Sequence, residues 1–79
     1  MDVKDKIRSI LTETMGIPDT AVTQDAHLSR DLGVDSLDFA ELVMQFEQEF
    51  DIRIPHEDAE NLQRVNDVEN YIIKKLSGE

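Results

Sequence analysis

The stretch at residues 31–50, DLGVDSLDFAELVMQFEQEF, decides the fold. It opens as a turn followed by a helix start. Gly33 can take the positive φ that a turn before a helix often needs. Asp35 is a good N-cap, because its carboxylate can accept from an amide two or three residues on. Asp38 adds negative charge near the positive end of the helix dipole. Ser36 then falls on the first helical position, where its amide has no intrahelical partner and its hydroxyl points outward. A group attached there stands at a helix N-terminus, a favourable place for a phosphate.

The rest of the stretch sorts into two faces. At roughly 100° per residue, Phe39, Leu42, Val43, Phe46 and Phe50 fall on one stripe with the spacing of a core face. Leu37, Ala40 and Met44 fall on nearly the opposite side, beside Glu41, Glu47 and Gln48. The spacing predicts an inner apolar face and a smaller outer apolar patch edged by carboxylates. Single surface hydrophobes are ordinary, so the outer patch alone proves little.

Working outward, Asp2 can cap a helix over Val3–Met15, with Val3, Ile7, Ile10, Leu11 and Thr14 as its stripe. Gly16, Ile17 and Pro18 then form a C-terminal stop. Residues 17–34 make a long connection, pinned inward by Ile17, Val22, Leu28 and Leu32, with candidate turns at 18–22 and 29–32. His27 reads as a loop residue with no second ligand pattern. The run 51–55 alternates, but it has no partner strand and is expected to be an extended connection. Pro55 opens a short helix reaching to about Leu62, with Ala59 and Leu62 inward. A last helix begins near Val65, or at Asp67 if Asn66 caps it. Its seam is Val65, Val68, Ile72 and Leu76, with Tyr71 adjacent, and Gly78 ends it. The expected fold is all-α: a four-helix bundle of three main helices and a short third, with a long first loop.

Composition narrows the function. Seventy-nine residues make one domain, 1–79. The formal net charge is −10, from 18 acidic and 8 basic residues. Asp31, Asp35, Asp38, Glu41, Glu47, Glu49 and Asp51 follow one another without an intervening Lys or Arg. That argues against nucleic acid and anionic membrane, and for partners with basic patches. Clear periodicity argues against a disordered acidic tail. There is no cysteine, so the chain has no disulfide and no thiol of its own, and a reducing compartment is permitted. No run is long enough to span a bilayer, and the opening MDVKDKIRSI lacks a signal-peptide core. The expected protein is a cytoplasmic monomer.

Ser36 is a poor candidate for a catalytic nucleophile. It has no glycine-flanked elbow, and His27 and His56 lie in separate segments without a triad context. A calcium loop starting at Asp31 would need glycine at its sixth position and glutamate at its twelfth. Ser36 and Leu42 occupy them, so the pattern fails, although the carboxylate density leaves a loose divalent-cation site open. Two separated histidines and no cysteine disfavour zinc. No metal ligands are assigned.

Asp35-Ser36-Leu37, preceded by Asp31-Leu32-Gly33 and followed by Asp38 and Glu41-Leu42-Val43-Met44, resembles an acyl carrier protein, most closely the free-standing bacterial type of fatty acid synthesis. The similarity continues through Glu49-Phe50-Asp51, Ile54-Pro55 and Tyr71-Ile72. DSL alone is a weak tripeptide; the whole series at these intervals is specific. The resemblance implies that Ser36 carries 4′-phosphopantetheine, supplied from coenzyme A by a phosphopantetheinyl transferase. The thiol of that arm would hold acyl groups as thioesters, which fits a chain without cysteine. The chain would catalyse nothing itself and would present cargo to fatty acid synthesis enzymes with basic docking patches. Asp35, Leu37, Asp38, Ala40, Glu41, Met44 and Glu47 would form the docking face. Phe39, Val43, Phe46, Ile54, Ala59, Leu62 and Ile72 would line an acyl pocket, with the Phe39 ring at its mouth.

Arg30, Arg53 and His56 stand where acidic or neutral residues are common in that family, and Phe39 replaces a smaller residue. Polyketide and lipid-modifying carriers share the same core motif and remain alternatives. Read from the residues alone, an unmodified acidic interaction module with weak calcium binding also stays open.

Overall fold

Asp2 accepts from the Lys4 amide at 3.1 Å and starts α1 (Val3–Met15), which stops where Gly16 turns left-handed at φ 69°. The computed structural model describes residues 2–78. After a single 3-10 turn at Asp19–Ala21 come α2 (Ser36–Phe50), α3 (His56–Ala59) and α4 (Val65–Leu76), in the expected all-α arrangement. α1 packs against both α2 and α4. Ile7 and Leu11 of α1, Leu42 and Phe46 of α2, and Val65, Val68 and Ile72 of α4 are buried where they meet.

Much of the core comes from outside these helices. Ile17, Val22, Ala26, Leu28 and Val34 are buried along the first connection, and Ile54, Ala59 and Leu62 along the second. Leu32 is only half-buried. The first connection is also zipped to the segment leading into α4. The Leu28 amide donates to the Gln63 carbonyl at 2.8 Å, Val65 to Ala26 at 3.1 Å and Asn66 to Gln24 at 3.0 Å. His27 and Arg64 face each other as an isolated antiparallel bridge. The Arg64 guanidinium donates to the Asp25 carbonyl at 2.6 Å. From the α1 side, Arg8 Nη1 donates to the Val22 carbonyl at 2.9 Å.

Two expectations need correction. α3 spans His56–Ala59 only, with Pro55 as its cap. Beyond it the bonds tighten to the i→i+3 kind, Asn61 to Asp58 and Leu62 to Ala59. A segment this short does not recover the cost of helix nucleation, and Leu62 reaches the core from a turn. α4 begins at Val65, the first of the two expected starts, because the Asp67 carboxylate reaches back to the Arg64 and Gln63 amides at 3.0 and 3.2 Å. Leu76 is 46% exposed, so the α4 seam ends at Ile72.

Candidate functional site

Ser36 is the first residue of α2 and is exposed. Gly33 enters the turn before it at φ 71°. The buried Val34 fixes the approach, its amide donating to the Leu28 carbonyl at 2.9 Å. Asp35 then caps the helix: the Asp38 amide donates to Asp35 Oδ1 at 2.8 Å, and the Asp35 amide to Asp38 Oδ2 at 3.4 Å. This reciprocal pair is a capping box. Neither the Ser36 hydroxyl nor the Ser36 and Leu37 amides have a hydrogen-bond partner among the described residues. A free hydroxyl thus stands beside free N–H groups at a positive helix end.

Beside it lies a cleft of about 680 Å³. Ser36, Phe39, Ala40, Val43 and Met44 form its α2 wall; Ile54, His56, Ala59, Glu60, Leu62 and Gln63 form the opposite one. His27, Leu28, Ser29, Val34 and Asp35 close the end next to Ser36. The lining is mostly apolar.

The structure divides the sequence-predicted pocket residues. Phe39, Val43, Ile54, Ala59 and Leu62 do line the cleft. Phe46 and Ile72 do not: they are 2% and 0% exposed inside the bundle core. The docking residues divide too. Leu37 is 81% and Met44 52% exposed, and Glu41 is exposed. Ala40 and Met44 also belong to the cleft wall, so the outer patch and the cleft share a border. Asp35 and Asp38 are engaged with each other's amides. Glu47 is half-buried, its Oε2 accepting from the Ile54 amide at 2.8 Å.

Sequence reasoning missed three polar residues. His27 is not a plain loop residue: its Nδ1 accepts from the Ser29 and Arg30 amides, both at 3.2 Å. Glu69 is 4% exposed, with Oε1 accepting from Gln24 Nε2 at 3.2 Å. Its place among apolar α4 residues was the available signal. The Tyr71 hydroxyl donates to Asp58 Oδ2 at 2.7 Å and ties α3 to α4. Burial, then the Asp58 hydrogen bond and the charges of Asp58 and Glu47, push the Tyr71 phenol up to about 12. Among the described residues, no three His, Asp or Glu side chains are grouped so as to hold a metal ion. No helix among them is long and apolar enough to cross a membrane.

Comparison with known proteins bears on this geometry. A family model described as a phosphopantetheine attachment site matches residues 5–72. The chain is 51% identical over 72 residues to an acyl carrier protein of Akkermansia muciniphila, covering 91% of this chain and 90% of that one. It is 47% identical over 75 residues to an acyl carrier protein of Bdellovibrio bacteriovorus, covering 95% and 96%. It is 43% identical over 75 residues to one of Thermotoga maritima, covering 95% and 93%.

Proposed function

Because the chain belongs to the acyl carrier protein family, with its phosphopantetheine attachment domain, we propose that Ser36 is the attachment residue and that the carrier serves fatty acid synthesis. The protein is a carrier, not an enzyme. The observation that carries the Ser36 assignment is its unpartnered hydroxyl at the start of α2, on the edge of an apolar cleft. The residues fit the arm. Ser36 offers the oxygen for a phosphodiester, and the free amides of Ser36 and Leu37 offer a phosphate the donors of a helix N-terminus. When bound, the arm supplies the thiol that holds acyl groups as thioesters.

Phe39, Val43, Ile54, Ala59 and Leu62 provide a surface on which an acyl chain escapes water. Phe39 is half-buried there, one turn after Ser36. The docking face is Leu37, Ala40 and Met44 with Glu41 at its rim. Apolar anchors of this kind slow dissociation, while a rim charge steers encounter with basic partners such as the transferase or a condensing enzyme. Since Asp35 and Asp38 build the helix cap, Glu41→Lys tests steering without disturbing the α2 start. It is expected to lower the association rate with the transferase and flatten its salt dependence. An unchanged rate at low and high salt would move the docking face elsewhere. A cytoplasmic monomer suits this role.

The pathway is tested by reconstitution. Loaded with a malonyl group, the holo protein is expected to support chain elongation by bacterial fatty acid synthesis enzymes. Failure there, with elongation by a polyketide condensing enzyme instead, would assign it to a specialised pathway.

A further inference from the structure

We propose that His27 is an acid-sensitive cap, whose protonation releases the 27–32 turn and loosens the end of the cleft beside Ser36. The amides of Ser29 and Arg30 can only donate, and both point at His27 Nδ1 from 3.2 Å. That nitrogen must therefore hold its lone pair, which leaves the ring neutral with its proton on Nε2. The Ser29 hydroxyl is also 3.2 Å from Nδ1 and can either donate or accept, but the two amides cannot accept, so a proton on Nδ1 breaks both amide bonds. Imidazole is the side chain that ordinarily changes charge between about pH 5 and 8.

The backbone of the same residue completes the turn. Its carbonyl accepts from the Asp31 and Leu32 amides at 2.9 and 3.1 Å, and its amide donates to Asp31 Oδ2 at 2.7 Å. The turn is coupled to the attachment residue through Leu28, whose carbonyl accepts from the Val34 amide, two residues before Ser36. The charged and titratable groups around the ring come from every neighbouring segment. Arg30 and Asp31 are in its own turn and Arg64 is on the bridged segment. Asp35 is at the α2 cap, and His56 and Glu60 lie on the α3 side of the same cleft.

Amide NMR of the full chain, titrated from about pH 8 to about pH 5, tests the device. The Ser29 and Arg30 amide resonances are expected to move with the His27 ring signal, followed by a smaller shift at Val34. Their exchange, corrected for the intrinsic pH dependence, is expected to speed by about tenfold at the acid end. In His27→Asn, whose amide oxygen can accept without titrating, these shifts are expected to vanish. Ser29 and Arg30 resonances that stay fixed while the His27 ring titrates would overturn the proposal. So would equal shifts in His27→Asn, which would assign the response to the surrounding carboxylates or His56.

Discussion

The connection over residues 17–34 is longer than the one over 51–64, yet it is tied down more firmly. Ile17, Val22, Ala26, Leu28 and Val34 anchor the first as five buried apolar side chains. Its backbone is bonded to residues 63–66 and gripped from α1 by Arg8. The second has three buried apolar anchors, Ile54, Ala59 and Leu62, and a helix of only four residues. Its 63–64 end belongs to that backbone pairing, while its 52–62 part is tied to α2 and α4 by the Ile54 amide donating to Glu47 and the Tyr71 hydroxyl donating to Asp58. These connections form opposite parts of the cleft. The part adjoining Ser36 is a fixed platform, and the α3 part is suspended. Local opening follows the density of buried contacts, so the α3 side is expected to open first.

The largest effect should come from damaging the platform. Leu28 is 4% exposed, and Leu28→Ala is expected to cost about 2–5 kcal/mol of global stability. Urea unfolding reads this as a lowered midpoint with an unchanged slope. A loss below about 1 kcal/mol would mean that the platform is no better anchored than an ordinary loop.

Cutting the suspension should matter less and more locally. Tyr71→Phe removes the tie to Asp58 and is expected to cost about 1 kcal/mol, with faster amide exchange at Ala59 and Leu62 and little change at Leu28. Equal acceleration at all three would erase the contrast between the two connections. The same variant has a pH signature. The folded-state phenol sits at about 12 against an ordinary value of 10.0. Below about pH 10 it is protonated in both states, and its contribution is intact. As pH rises from about 10 toward 12, the unfolded chain gives up the proton first, so stability falls. Tyr71→Phe should lack this alkaline loss. Tyr71 is the only tyrosine, so tyrosinate absorbance follows the group directly.

The smallest effect should be a gain. Asp51 ends α2 in the left-handed region at φ 53°, and it places a carboxylate at the negative end of the helix. Asp51→Gly relieves both and is expected to stabilise by about 0.5–1 kcal/mol. A lower melting temperature would show that the side chain has a partner role in the second connection.

The helices were legible because their signals are local. Val3–Met15 follows from an aspartate cap, a regular stripe and the Gly16 stop, and the α2 start follows from Asp35 and Asp38. The zipper between residues 24–28 and 63–66 was not legible, since backbone pairing across that separation leaves no periodic trace. The α2 stripe also hid the cleft. Helical spacing put Ala40 and Met44 opposite Phe39, but the cleft opens along the side that includes Ser36 and gathers all of them. Which neighbours cover a helix face depends on packing, and here the covering segments are irregular. His27 and Glu47 escaped for another reason: their partners are backbone amides, which every sequence contains.

The Ser36 assignment meets its most direct test in the mass of the protein after incubation with coenzyme A and a phosphopantetheinyl transferase. One phosphopantetheine is expected, on the tryptic peptide spanning residues 31–53, and none in Ser36→Ala. An unmodified chain, or the same group found on Ser9, Ser29 or Ser77, would contradict it.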